Sequence, residues 1–326
     1  MSDMKTTYPS MKKIHLVIAS SYALLTATVG LVAQQEPAPP IDDEQRWESR
    51  GEVKLTSLPV RRETLVYKHT PQGDLEIHLF LPQGEPPRPA GFPGIVFFFG
   101  GGLRKGKPEQ FFPQAEYLAT RGMVAASAAY RVLNQHHTMP EKAVEDAKSA
   151  VRWLRAHAKD YRMDPDRFVS AGGSAGGRLA AATALVKAYD AESDDLRISA
   201  KPNALVLFNP SLWTSKLYLS RNVPSEIAEL INPNRFIDAQ TPPAVVFYGS
   251  LDSLKEGGDE YVRKARALSL RAEMWTAPGY PHGFFNLEPW IQVTTRKMDE
   301  FLVSIGYLEG PPTLELSSGL PVLVPE

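Results

Sequence analysis

The chain has 326 residues, 43% of them hydrophobic and 22% charged, with a formal net charge of −1 and no cysteine. That balance gives no basic field for nucleic acid, and the lack of cysteine excludes disulfides, a thiol nucleophile and a thiolate metal site. The composition is globular, and the length suits one large α/β domain or two average ones.

Residues 1–33 read as an export signal. Lys12 and Lys13 precede "IHLVIASSYALLTATVGLVA", which ends on the small Ala33 and is followed by polar "QQEPAPP". A basic start, an apolar core and a small boundary residue are the features of a secretory signal. The apolar run is nearly long enough to anchor in a membrane. Cleavage is the expectation, giving an exported protein, periplasmic or secreted, without stable membrane insertion. Residues 34–60, rich in Pro, Glu and Gln, read as a linker or N-terminal arm.

Short apolar runs then alternate with helical patterns. "ETLVYKH" and "LEIHLFLP" flank the turn signal "TPQGD" and predict an antiparallel hairpin. "GIVFFFG" is continuously apolar, as a strand buried on both faces requires. "GMVAASAAY", "RFVSAG", "NALVLFN", "AVVFYG" and "AEMWTAP" complete eight predicted strands. Helices are predicted over 109–120, 140–160, 175–189, 254–269 and 292–305. The second is the clearest, because Ala143, Ala147, Ala150, Val151 and Leu154 follow a 3.6 period and Pro140 opens it where proline is tolerated. Strands alternating with helices imply a mostly parallel eight-stranded sheet with helices on both faces, here over residues 61–308. Residues 211–239 form a longer excursion, read as a small lid. Residues 309–326 form a Pro-rich tail, expected to be loosely docked or mobile.

"SAGGSAGG" places four glycines around Ser174 between a strand-like and a helix-like run. Gly172-Gly173-Ser174-Ala175-Gly176 fits G-x-S-x-G, a tight strand-to-helix turn that lifts a serine hydroxyl from the carboxyl edge of a sheet and aims the following N–H at a developing oxyanion. A glycine-rich turn with no chemistry, or one cradling phosphate, fits the motif alone. The partners decide. In this motif's chain order the acid and then the histidine follow the serine, and of seven histidines only His282, in "GYPHGFF", lies beyond Ser174. Asp252, in "VVFYGSLD", is the one intervening aspartate that closely follows an apolar strand run; Glu256 is the fallback. The glycines of "FFFGGGLRKG" let backbone N–H groups approach a ligand, so Gly101 and Gly102 join Ala175 as candidate oxyanion donors. The same stretch is nearly a phosphate-binding loop, but Pro108 follows Gly106-Lys107 where that loop needs a hydroxyl.

Together "FFFGGG", "YRVLNQHHTMPEKAVEDAKSAVRWLRAHAKDY", "DPDRFVSAGGSAGG", "PPAVVFYGSLD" and "YPHGFFN" resemble the α/β-hydrolase superfamily. They resemble more closely its hormone-sensitive-lipase-like esterases and the bacterial bifunctional feruloyl and acetylxylan esterases. The resemblance covers roughly residues 60–306. It implies an α/β-hydrolase fold and a serine carboxylesterase with Ser174 as nucleophile, His282 as base, Asp252 as its orienting acid, and no cofactor or metal. The expected substrate is a small-molecule or polysaccharide ester, with acetyl or feruloyl groups favoured. A general short-chain carboxylesterase, a prolyl-oligopeptidase-like peptidase and a non-catalytic binding protein on a hydrolase scaffold stay open as alternatives. The oligomeric state is not fixed. Phe99 stands where the lipase-like group has histidine before its three glycines, so something else must brace the hole; the N-terminal cap is missing or reduced, which implies an open cleft.

His137, Trp213 and Tyr218 are candidate substrate contacts, as are His136 and Trp290, against a plain loop or packing role. Arg178 is expected to pair with a local carboxylate. Asp146 is expected, on the resemblance, to be a structural partner within its helix.

Overall fold

A computed structural model describes residues 51–212 and 223–326. The predicted signal (1–33), most of the arm, and Trp213 and Tyr218 lie outside the described residues.

The strands are β1 (Arg61–Thr70), β2 (Gly73–Leu81), β3 (Phe92–Phe98), β4 (Val124–Ala128), β5 (Met163–Gly173), β6 (Ala204–Phe208), β7 (Ala244–Gly249), β8 (Ala272–Ala277) and β9 (Val324–Pro325). They form one sheet in the order β1-β2-β4-β3-β5-β6-β7-β8-β9. The stretch from β4 to β8 is parallel, whereas β1, β2 and β9 join antiparallel. All eight predicted strands are present. The ninth corrects the expected number and the picture of the tail: Val324 pairs with Thr276, Leu323 is buried, and the Thr313 and Leu314 N–H groups donate to the Tyr117 hydroxyl. The tail is thus docked at both ends.

Strands β3, β6 and β7 are apolar and buried on every residue because both faces are covered. One face carries Val96, Phe98, Leu205, Leu207, Val246 and Tyr248; the other carries Ile95, Phe97, Val206, Phe208, Val245 and Phe247. Helices α2 (Pro140–Ala156), α3 (Ala175–Leu185) and α5 (Lys255–Ala267) cover the first face, and α1 (Phe112–Thr120) and α6 (Trp290–Ser304) the second. The period read in α2 is its core stripe, Ala143, Ala147, Ala150, Val151 and Leu154, all buried. A short helix α4 (Ser225–Leu230) stands within the excursion after β6. This second half of the expected lid is fastened down: Ala228 and Ile231 are buried, and Asn234 Nδ2 donates to Gly257 O at 2.9 Å.

The chain fills β3 and β4 to one side of β5 and then turns to β6, β7 and β8 on the other. Ligands of open α/β sheets bind at such a reversal, outside the carboxyl ends of the strands. The glycine triplet after β3, Ser174 after β5, Asp252 after β7 and His282 after β8 all follow carboxyl ends on these neighbouring strands.

Candidate active site

Ser174 Oγ lies 2.8 Å from His282 Nε2, and His282 Nδ1 lies 2.8 Å from Asp252 Oδ2. Asp252 has a fully buried side chain, while that of His282 is 17% exposed, so the series runs from the interior toward solvent. The other carboxylate oxygen, Oδ1, accepts from the Leu254 N–H at 2.8 Å, which fixes the acid's orientation. Asp252, rather than the fallback Glu256, meets the imidazole.

The turn explains its glycines individually. Ser174 itself holds the strained backbone, φ 52° and ψ −114°. A Cβ on Gly172 would come within 2.5 Å of the Gly176 backbone, and one on Gly176 within 2.0 Å of Phe98 O. Those two glycines let β5, α3 and β3 meet at van der Waals limits. Gly173 gives room to the Phe285 ring, part of an aromatic cluster with Phe111 and Phe208 beneath the turn.

The loops that carry Asp252 and His282 are tied to one another just before those residues. Leu251 N–H donates to Tyr280 O at 2.9 Å, Ser250 N–H to Ala277 O at 2.9 Å, and Gly279 N–H to Ser250 Oγ at 2.8 Å. A Cβ on Gly249 would sit 2.1 Å from Tyr280 O, so glycine is required for this approach.

The glycine triplet lies against the serine: a Cβ on Gly100 would be 3.3 Å from Ser174 Cβ. Gly101 (φ 118°) and Gly102 (φ 65°) take conformations that side chains disfavour, and Gly101 O closes a turn by accepting from Arg104 and Lys105 N–H. Ala175 opens α3, so its N–H is at the helix N-terminus. The brace that stands in for the missing histidine is Gln110. Its Oε1 accepts the Gly100 N–H at 2.6 Å, and its Nε2 donates to Asn286 Oδ1 at 3.1 Å. Asn286 Nδ2 in turn donates to Gly283 O at 3.2 Å, beside His282. Phe99 is buried and stacked on Tyr130, whose hydroxyl donates to Phe99 O at 2.7 Å. Neither Gln110 nor Asn209, whose Nδ2 lies 3.2 Å from His282 Nε2, is among the residues expected from sequence.

His137 is exposed in a turn tied to the triplet's loop through Leu133 N–H to Leu103 O and Asn134 N–H to Arg104 O. No contact joins it to Ser174, Asp252 or His282. Trp290 is fully buried against Tyr280 and Phe284, a packing anchor with no face for substrate. Arg178 is also fully buried, its N–H bonded to Ser174 O, which removes it from contact with a substrate arriving from solvent. The partners of Asp146 lie outside its own helix: Lys68 Nζ at 2.7 Å, Arg131 Nη2 at 2.7 Å and Arg131 Nε at 2.8 Å. Among the described residues there is no cluster fit to hold a metal ion and no helix long and apolar enough to cross a membrane.

The BD-FAE family model matches residues 77–206. The chain is 27% identical over 248 residues to Esterase LipC of Mycobacterium tuberculosis, covering 69% of this chain and only 60% of LipC's length. Among solved structures, esterase 2 of the planctomycete Thermogutta terrifontis phosphonylated by cyclosarin is 40% identical with a TM-score of 0.71, covering 76% of this chain and 96% of that one. The propionate-bound form of the same esterase is 39% identical with a TM-score of 0.70 and the same coverage.

Proposed function

The chain belongs to the α/β-hydrolase superfamily, among the hormone-sensitive-lipase-like esterases, and from that membership we propose a division of labour within its site. The protein is a serine hydrolase acting on carboxylic esters. Ser174 Oγ attacks the ester carbonyl as His282 Nε2 takes its proton. Asp252 holds the imidazole by Nδ1 and offsets the charge it acquires. The carbonyl oxygen, now negative, is received by the N–H groups of Gly101, Gly102 and Ala175. Collapse expels the alcohol with the proton from Nε2 and leaves an acyl-Ser174. Water, deprotonated by the same imidazole, then releases the acid. The observation that carries this reading is the 2.8 Å approach of His282 Nε2 to Ser174 Oγ, with the carboxylate at the same distance on the far nitrogen. Ser174→Ala tests it: hydrolysis of a short p-nitrophenyl ester is expected to disappear while the folded state persists, and full residual activity would overturn it.

For substrate, the reading is an acetyl or feruloyl ester of a polysaccharide, reached by export of the chain. The BD-FAE match, the signal-like residues 1–33 and the propionate held by the Thermogutta relative support a small acyl group and an extracytoplasmic setting. Release of acetate and ferulate from xylan, set beside cleavage of free short-chain esters, tests the alcohol side. Cleavage of the soluble esters alone supports the general short-chain carboxylesterase instead. N-terminal sequencing of protein from the culture supernatant or periplasm tests export.

A further inference from the structure

We propose that Asn209 is a positioning residue for His282, a carboxamide that donates to the neutral imidazole before proton transfer and accepts from the imidazolium after it. The proposal rests on His282 being the base. Asn209 follows β6 directly, on the strand next to the one that ends at Ser174. It is fully buried and holds φ 35°, a conformation that asparagine tolerates better than most side chains. Its N–H donates to Phe247 O at 2.6 Å, so the strand ladder fixes its backbone. Nδ2 lies 3.2 Å from His282 Nε2. Oδ1 is buried with no hydrogen-bond partner among the described residues.

An amide N–H faces Nε2 only while that nitrogen keeps its lone pair. In that state Nε2 accepts from both Ser174 Oγ and Asn209 Nδ2. When the Ser174 O–H bond breaks and the proton forms an N–H bond at Nε2, donor faces donor and the orientation becomes unfavourable. A half-turn about Cβ–Cγ exchanges the ends of the amide and sets Oδ1 against the new imidazolium, in the stronger charge-assisted kind of hydrogen bond. Native interiors seldom bury an acceptor without a partner. The charged half of the cycle supplies this one. Asp252 is bonded to Nδ1, and Arg178 from α3 and Asp259 from α5 act with it on Tyr248 of β7. Nε2 meets Ser174 Oγ at 2.8 Å and Asn209 Nδ2 at 3.2 Å.

Two variants test the proposal in the whole protein. Asn209→Asp is nearly isosteric and places a charged acceptor on Nε2 permanently. It favours the imidazolium in the free enzyme, so the acid limb of kcat/KM is expected to move to higher pH by about one unit. Asn209→Gly accepts the backbone conformation and deletes the amide; kcat is expected to fall roughly ten- to a hundredfold with KM little changed. A packing role alone moves neither the limb nor the ratio of kcat to KM. A folded Asn209→Asp protein whose acid limb coincides with that of the wild type overturns the proposal, as does wild-type kcat in Asn209→Gly; if one variant does not fold, the other decides. Retained activity in His282→Gln would instead remove the reading of His282 as base, so the two failures are separable.

Discussion

Gln110 Oε1 accepts the N–H of Gly100 at 2.6 Å, and this neutral contact holds the glycine loop where resembling esterases place an imidazole. Because Gln110 also reaches Asn286, and Asn286 reaches Gly283 O, one buried amide pair spans from the residue before the candidate oxyanion donors Gly101 and Gly102 to the neighbour of the candidate base. Gln110→Leu leaves the buried Gly100 N–H without its acceptor and cuts that span. The expected result is a kcat reduced at least about tenfold, since displacing one oxyanion donor is a loss on that scale or larger. Stability should fall by about 1–3 kcal/mol from the unpaired group. Steady-state kinetics on p-nitrophenyl acetate and a denaturant titration read both.

Ser174 stands at φ 52° and ψ −114° while the glycines beside it avoid positive φ. Strain of this kind is held at functional positions against a local cost of about 1–3 kcal/mol. Glycine ordinarily destabilises an ordered position relative to alanine, but here the ranking should invert. Ser174→Gly is expected to melt above Ser174→Ala, with both inactive. Differential scanning calorimetry on the pair gives the answer, and the usual ranking would show that the turn is relaxed.

Asp146 is fully buried and neutralises Lys68 and Arg131 together, while the Arg131 N–H donates to its Oδ2 at 2.9 Å. Removing it leaves two buried cations without their common anion. Asp146→Ala should therefore destabilise the fold by about 3–5 kcal/mol. Urea unfolding measures this directly, and a loss below about 1 kcal/mol would mean that the network is hydrated and dispensable.

Burial, and then the hydrogen bond to Asp299, push the Tyr117 hydroxyl up to about 12; burial pushes Tyr307 up to about 12 as well. An unfolded tyrosine ionises near 10. Between those values the unfolded chain has released protons that the native state still holds, so stability falls as pH rises. It is full below about pH 10 and lost progressively toward about pH 12. The melting temperature across this window should drop less steeply in Tyr117→Phe. The variant should also melt lower at pH 8, because its ring no longer ties Asp299 to the tail at Thr313 and Leu314.

Strands β3, β6 and β7 were legible because each is buried on both faces and has no polar residue to break its run. Helices α1, α2, α3, α5 and α6 were legible from their patterns, whereas the short α4 was not. Strand β9 was not: two residues, one of them proline, carry no period, and only the edge of β8 makes them a strand. Ser174, Asp252 and His282 could be singled out because each follows a strand run in a loop of small residues. The same rule, a polar residue directly after an apolar run, marks Asn209 behind "ALVLF", but nothing local says that its strand lies next to β5. Gln110 is less visible still. Its partners are 10 and 176 residues away, and only the order of strands in the sheet brings them together.

Leu251 has an exposed side chain one residue before the acid, while its own N–H is fastened to Tyr280 O. Main-chain tethering of this kind uncouples the position's outward chemistry from the alignment behind it. A ring, an amide or a charge written at 251 can therefore change what this loop presents to solvent and leave the reacting atoms where they are.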